Sequence, residues 1–82
     1  ELHTTAHLFD RMLERNISFK DITDALKNPL GISKVKMDKF GPSYKIVGKN
    51  ATVIINPETN TLITTYKTTS NAKRLKQILD KL

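Results

Sequence analysis

Residues 32–67 read ISKVKMDKFGPSYKIVGKNATVIINPETNTLITTYK, and they decide the fold because the apolar period along them is two. In "ISKVKMDKF", Val35 and Met37 fall on one face against Lys34, Lys36 and Asp38 on the other, the alternation of a half-buried strand. "FGPS" at 40–43 reads as a turn and "YKIVG" as a second strand. "GKNA" is a tight connection, "ATVII" a third strand, and "NPETNT" a hairpin loop into a fourth strand, "LITTYK" at 62–67. Strands joined by loops this short pair as an antiparallel meander.

On either side the period changes to that of a helix. Wound at roughly 100° per residue, the opening "ELHTTAHLFDRMLERNIS" gathers Leu2, Ala6, Phe9, Met12 and Leu13 on one side. It gathers His3, His7, Arg11 and Glu14 on the other. "ISFKDITDALKNP" carries Ser18 as N-cap, Asp21 as the return half of a capping box, and Ile17 against Ile22 as a hydrophobic staple. Asn28 and Pro29 end it. "SNAKRLKQILDKL" starts at Ser70 and aligns Ala72, Leu75, Ile78, Leu79 and Leu82. The expected class is α+β: two N-terminal helices, a four-stranded antiparallel meander and a C-terminal helix, with the helices packed on one face of the sheet.

Eighty-two residues support one core and one domain, 1–82, and the first residue, Glu1, reads as the start of a domain excised from a longer chain. With no cysteine, disulfides, thiol nucleophiles and cysteine-ligated zinc are excluded. No apolar run approaches the roughly 20 residues of a membrane span. The net charge of +6 favours a polyanionic partner: nucleic acid, an anionic membrane surface or an acidic protein.

Three constellations can carry chemistry. Both histidines of the protein, His3 and His7, fall on one helix stripe with Arg11, Glu14 and Arg15 nearby. At i and i+4, His7 and Arg11 can converge on one phosphate, the imidazole to move a proton and the guanidinium to neutralise phosphoryl charge. The bland alternative is a solvated helix face. A zinc reading of H-T-T-A-H lacks the glutamate of H-E-x-x-H and a third ligand, so no metal or other cofactor is expected. In "LITTYKTTS", Leu62, Thr64, Tyr66 and Thr68 share one strand face. Hydroxyls beside a tyrosine can orient a phosphate or stack a base, although threonine and tyrosine also simply favour strands. Of the sheet lysines, Lys34, Lys36, Lys39, Lys45, Lys49 and Lys67, Lys45 beside Tyr44 is the candidate phosphate contact or proton donor. Lysines on sheet edges otherwise discourage aggregation.

"HLFDRMLERNISFKDITDALKNP" and "GPSYKIVGKNATVIINPETNTLITTYKTT" together resemble a family of small bacterial toxin nucleases. In that family a helix bearing H-x-x-x-R-x-x-x-R leads through Ile-Ser into a second helix closed by Asn-Pro. An N/D-P-x-T turn then precedes a last strand reading roughly I-T-x-Y. These are the barnase, EndoU, colicin and RelE-like nucleases, C-terminal toxin domains of contact-dependent inhibition and other polymorphic toxin proteins. The resemblance implies that family's fold and metal-independent cleavage of RNA, often tRNA near the anticodon, by the neighbouring ribose hydroxyl to leave a cyclic phosphate. It maps His7 onto the motif histidine, Arg11 and Arg15 onto the arginines, and Thr64 and Tyr66 onto the last strand; His3 lies outside the motif.

On that resemblance His7 is the general base and Arg11 stabilises the phosphorane. Thr64 holds a phosphate oxygen, and Tyr66 or Lys45 serves the leaving oxygen. His3, Arg15, Lys45 and Lys67 are the expected substrate contacts. His3 and His7, one turn apart, would lie on the same side of a phosphate, whereas in-line displacement wants base and acid on opposite sides, so the sheet must supply the acid. The resemblance further implies delivery into the cytoplasm of a target cell by a secreted or cell-surface carrier, and a cognate, acidic immunity protein or antitoxin as partner. The rival readings are a non-catalytic nucleic-acid-binding domain and a RelE-like toxin that cuts mRNA on the ribosome.

Overall fold

The computed structural model describes residues 2–82. Among them lie His3–Thr4 (β1), Ala6–Arg15 (α1), Phe19–Lys27 (α2), Gly31–Ile32 (β2), Lys36–Asp38 (β3), Gly41–Val47 (β4), Ala51–Asn56 (β5), Thr61–Lys67 (β6) and Ala72–Asp80 (α3). The α+β class holds. The arrangement is not a four-stranded antiparallel meander: six strands form a mixed sheet in the order β1-β6-β5-β4-β2, with β3 also on β4.

The three central strands pair antiparallel as expected, and their loops explain why. Gly48 N–H closes on the Ala51 carbonyl at 2.9 Å. Asn56 Oδ1 accepts from the N–H groups of Glu58 and Thr59 at 2.9 and 3.3 Å, the local side-chain bonding that makes asparagine a turn former. The expectations fail at the two edges. The single strand expected over 32–40 is split, with β2 pairing to Val47 and Ile46 and β3 to Ser43, Pro42 and Gly41. At the break, the Ser33 hydroxyl accepts from Lys45 N–H at 2.8 Å, standing in for a backbone carbonyl. The turn is tighter than 40–43, because Asp38 already pairs with Gly41 and its carboxylate accepts from Phe40 N–H at 2.7 Å.

At the opposite edge, the opening segment is not helical throughout. His3 and Thr4 pair parallel to Thr61 and Leu62, His3 N–H donating to the Asn60 carbonyl at 2.8 Å. The helix begins only after Thr5, so His3 and His7 are not one turn apart on a common stripe. The apolar stripe of α1 is also rotated from the expected one. Leu8 and Met12 are buried, while Phe9 is about half exposed and Leu13 is 83% exposed. Phe9 instead meets Phe19 of α2 edge-on, with ring centroids 5.7 Å apart.

The core joins Leu8, Met12, Ile17 and Ile22 from the helical side to Ile46, Ala51, Val53, Ile55 and Leu62 from the sheet. The α2 capping box is present as expected: Ser18 Oγ accepts from Asp21 N–H, and the Asp21 carboxylate from Ser18 N–H, both at 3.2 Å. The cap of α3 is Asn71, one residue later than Ser70, with its side chain accepting from Arg74 N–H.

Two glycines fix which face each helix takes. A Cβ built on Gly48 would collide with Ala25 of α2, while one on Gly31 would meet Leu79 and Leu82 at the end of α3. Gly31 pairs with Val47, and directly paired residues share a face. Val47 lies on the side opposite Ile46 and the core. The helices are therefore not on one face: α1 and α2 cover one side, and α3 crosses the other.

Candidate active site

Beyond Leu62, β1 no longer covers the outer edge of β6, and exposed strand carbonyls need partners. The two ends of α1 supply them. Thr5 Oγ1 donates to the Ile63 carbonyl at 3.2 Å, and Arg15 donates from Nη1 to the Thr65 carbonyl at 2.9 Å. The helix is thereby tied alongside the strand.

Its flank between those ties carries His7 and Arg11, one turn apart and about 6 Å along the axis. Thr5, His7, Arg11, Arg15, Ile63 and Thr64 line one open cleft of about 420 Å³. Arg11 donates from Nη1 to Glu14 Oε2 at 3.1 Å, with both side chains about half exposed. Such a pair is worth less than about 1 kcal/mol, so an anion in the cleft can draw the guanidinium away.

The strand contributes through an irregularity. Ile54 pairs with Thr64 and Ile55 with Leu62, so Ile63 is the extra residue of a bulge. The bulge breaks the period of two expected for 62–68. Leu62 and Thr65 both turn inward and are buried, and the buried Thr65 hydroxyl donates to the Thr52 carbonyl at 2.9 Å. Thr64 and Tyr66 share the opposite face, in register with Ile54 and Thr52.

Of the eight residues expected at the site, four come together: His7, Arg11, Arg15 and Thr64. Tyr66 does not line the cleft. It lies on the same strand face as Thr64, about 7 Å further along β6, and burial raises its phenol above the ordinary value near 10. His3 sits exposed on β1, displaced because its backbone is in the sheet. Lys45 lies on the same sheet face as Thr64, two strands away, through the row Thr64–Ile54–Lys45, or about 10 Å. Lys67 lines a separate hollow with Asn16, Asp21 and Lys49 at the far end of β6; it shares the helix-facing side with Thr65 but lies past the end of the cleft. Thr5 and Ile63 line the cleft without having been expected there. Thr5 had a signal, as a hydroxyl residue just ahead of an apolar run. Ile63 had none, because a bulge leaves no mark in composition.

Among the described residues, no group of three or more histidine, cysteine or acidic side chains is placed to hold a metal, and no helix is long and apolar enough to cross a membrane. Residues 4–67 match the family described as a domain of unknown function, DUF4258. No curated protein and no solved structure matches the chain.

Proposed function

The chain belongs to the DUF4258 family, whose description assigns no activity, and from its α1–β6 cleft we propose that it is a metal-independent endoribonuclease of the barnase, EndoU, colicin and RelE-like kind. One observation carries the reading. His7, Arg11 and Arg15, successive turns of one helix flank, meet Thr64 from a strand some fifty residues later in a single open cleft. A solvated face would need no such meeting with a residue of a distant strand.

In the proposed reaction, His7 takes the proton from a ribose 2′-hydroxyl, the oxygen attacks the adjacent phosphorus, and the 5′-oxygen departs with a proton, leaving a 2′,3′-cyclic phosphate. Arg11, released from Glu14, neutralises charge growing on the phosphoryl oxygens, and the Thr64 hydroxyl donates to one of them. Arg15 already holds the Thr65 carbonyl, so its first task is to position the strand beside the helix. Tyr66, about 7 Å beyond Thr64 on the same strand face, stays a neutral phenol to higher pH than an exposed one, which suits it to position the leaving nucleotide by hydrogen bonding rather than to act as a strong acid. Lys45, two strands across the sheet, stands too far to protonate the leaving oxygen and is suited to a neighbouring phosphate. The proposed substrate is RNA, with the tRNA anticodon region as first choice. The proposed setting is a delivered toxin domain acting in the cytoplasm of a target cell, held inactive by an acidic immunity protein over the cleft.

The test is incubation of the wild type and His7→Ala with total RNA and with purified tRNA, each in excess chelator, followed by mapping of the ends. The expected result is chelator-resistant cutting of tRNA with cyclic phosphate ends, reduced about 10²–10⁴-fold in His7→Ala. Undiminished cutting by the variant, or RNA binding without any cutting, overturns the enzymatic reading; cutting of mRNA only when ribosomes are present favours the ribosome-dependent alternative.

A further inference from the structure

Besides the His7 cleft, hollows run along α3. One, of about 540 Å³, is lined by Asn71, Lys73, Arg74, Gln77, Ile78 and Lys81. A second, of about 350 Å³, takes Ile78 and Lys81 from the same helix flank and Lys34, Lys36 and Lys45 from the sheet side. They share a wall, and no aspartate or glutamate is among the residues lining either one. A smaller recess, lined by Lys36, Ser43, Lys45 and Ile54 among others, continues from them across the sheet. Ile54 is the register neighbour of Thr64, and Thr64 lines the His7 cleft.

The recesses thus form one line: cleft, Thr64, Ile54, Lys45 and Lys36, then the α3 flank with Lys81 and Arg74. We propose that this line is a binding track for single-stranded RNA, in which the lysines take the phosphates that flank the one held in the cleft. The proposal rests on the reading of the cleft as a phosphodiester site and extends it to the length and strandedness of the substrate. A chain laid across β6, β5 and β4 covers about 10 Å from Thr64 to Lys45, so recognition begins beyond the dinucleotide being cut. A groove lined by cations and leading to a reactive site suits an extended polyanion with its bases unpaired. An acidic globular partner needs no such continuity with the cleft. A membrane surface would gain nothing from cations that lead into the cleft.

The test uses the His7→Ala protein, chosen so that cutting is suppressed during binding, and fluorescence anisotropy with a 12-nucleotide single-stranded RNA and a dinucleotide. The expected result is at least tenfold tighter binding of the longer RNA. Lys36→Gln/Lys45→Gln/Lys81→Gln should abolish that gain and lower the slope of log affinity against log salt by about 2, since each phosphate contact on a single strand contributes about 0.7. A control with the same charge change away from the track, Lys20→Gln/Lys27→Gln/Lys49→Gln, should keep most of the length advantage. Melting temperatures within a few degrees of the parent would establish that both triple variants fold, and Lys36→Gln and Lys81→Gln alone should each show about a third of the slope change. Equal losses in the control triple overturn the track. So does tighter binding of polyglutamate, or of phosphatidylserine vesicles, through the same three lysines. Track-dependent binding by a protein whose wild type cuts no RNA would remove the enzymatic reading and leave the track standing.

Discussion

On β5, Ala51, Val53 and Ile55 point toward α1 and α2 and are sealed from water. Thr52, Ile54 and Asn56, one residue along in each case, point the other way. The first face is closed by two helices whose fully buried residues interlock with the sheet. The second is covered by α3 alone, a helix with no fully buried residue; Val47 and Thr52 are buried there, but Thr64, Tyr66 and Lys45 stay partly exposed. A small domain has few apolar groups to spare. Here stability is concentrated on one side of the sheet, which leaves the other side and its β6 edge free for chemistry.

The contrast can be broken by paired substitutions. Leu8→Ala empties a site that is 1% exposed and should cost about 2–5 kcal/mol, enough to unfold much of a marginal domain. Leu79→Ala on α3 should cost less than half as much, read from urea unfolding midpoints. A similar difference is expected at the two glycines. Gly48→Ala brings a methyl within 2.7 Å of the Ala25 Cα and the Ala51 carbonyl oxygen, backbone atoms that cannot move aside, and should destabilise by about 1–3 kcal/mol. Gly31→Ala meets only the flexible ends of Leu79 and Leu82. It should shift α3 at a cost under about 1 kcal/mol, visible as shift changes in α3 amides with the core unchanged.

Tyr66 offers the smallest and most selective comparison. Its phenol is raised by burial, so on alkaline titration the unfolded chain loses this proton first, near pH 10, and the folded chain later. The stability linked to the neutral phenol is complete below about pH 10 and falls as the pH rises past it. Tyr66→Phe should therefore melt with a shallower decline between pH 9 and 11 than the parent. Parallel curves would place the Tyr66 ring in water.

The parts of the fold legible in the sequence were those written in local chemistry. The Ser18 and Asp21 capping box, the Asn56 turn and the short apolar strand at 51–55 each depend on residues within a few positions of one another. The β1 strand was not legible, since two exposed residues pair through backbone groups with a strand nearly sixty residues away. The face of α1 was ambiguous because its apolar arc runs from Leu8 round to Leu13. Only docking against β6 decides that Leu8 turns inward and Leu13 outward. That rotation also decides the site: it lays His7, Arg11 and Arg15 along the cleft that Thr64 also lines. Distance along β6 then separates Tyr66 and Lys67 from that group, and the strand position of His3 separates that residue.

The two histidines allow a direct test of the central claim, because one lies in the cleft and the other, on β1, does not. Imidazole C–H resonances of His3 and His7 can be followed by NMR while an uncleavable 2′-deoxy dinucleotide is added. Saturable shifts at His7 with His3 unmoved are the predicted result; equal movement of both rings, or of neither, would contradict a phosphodiester site between α1 and β6.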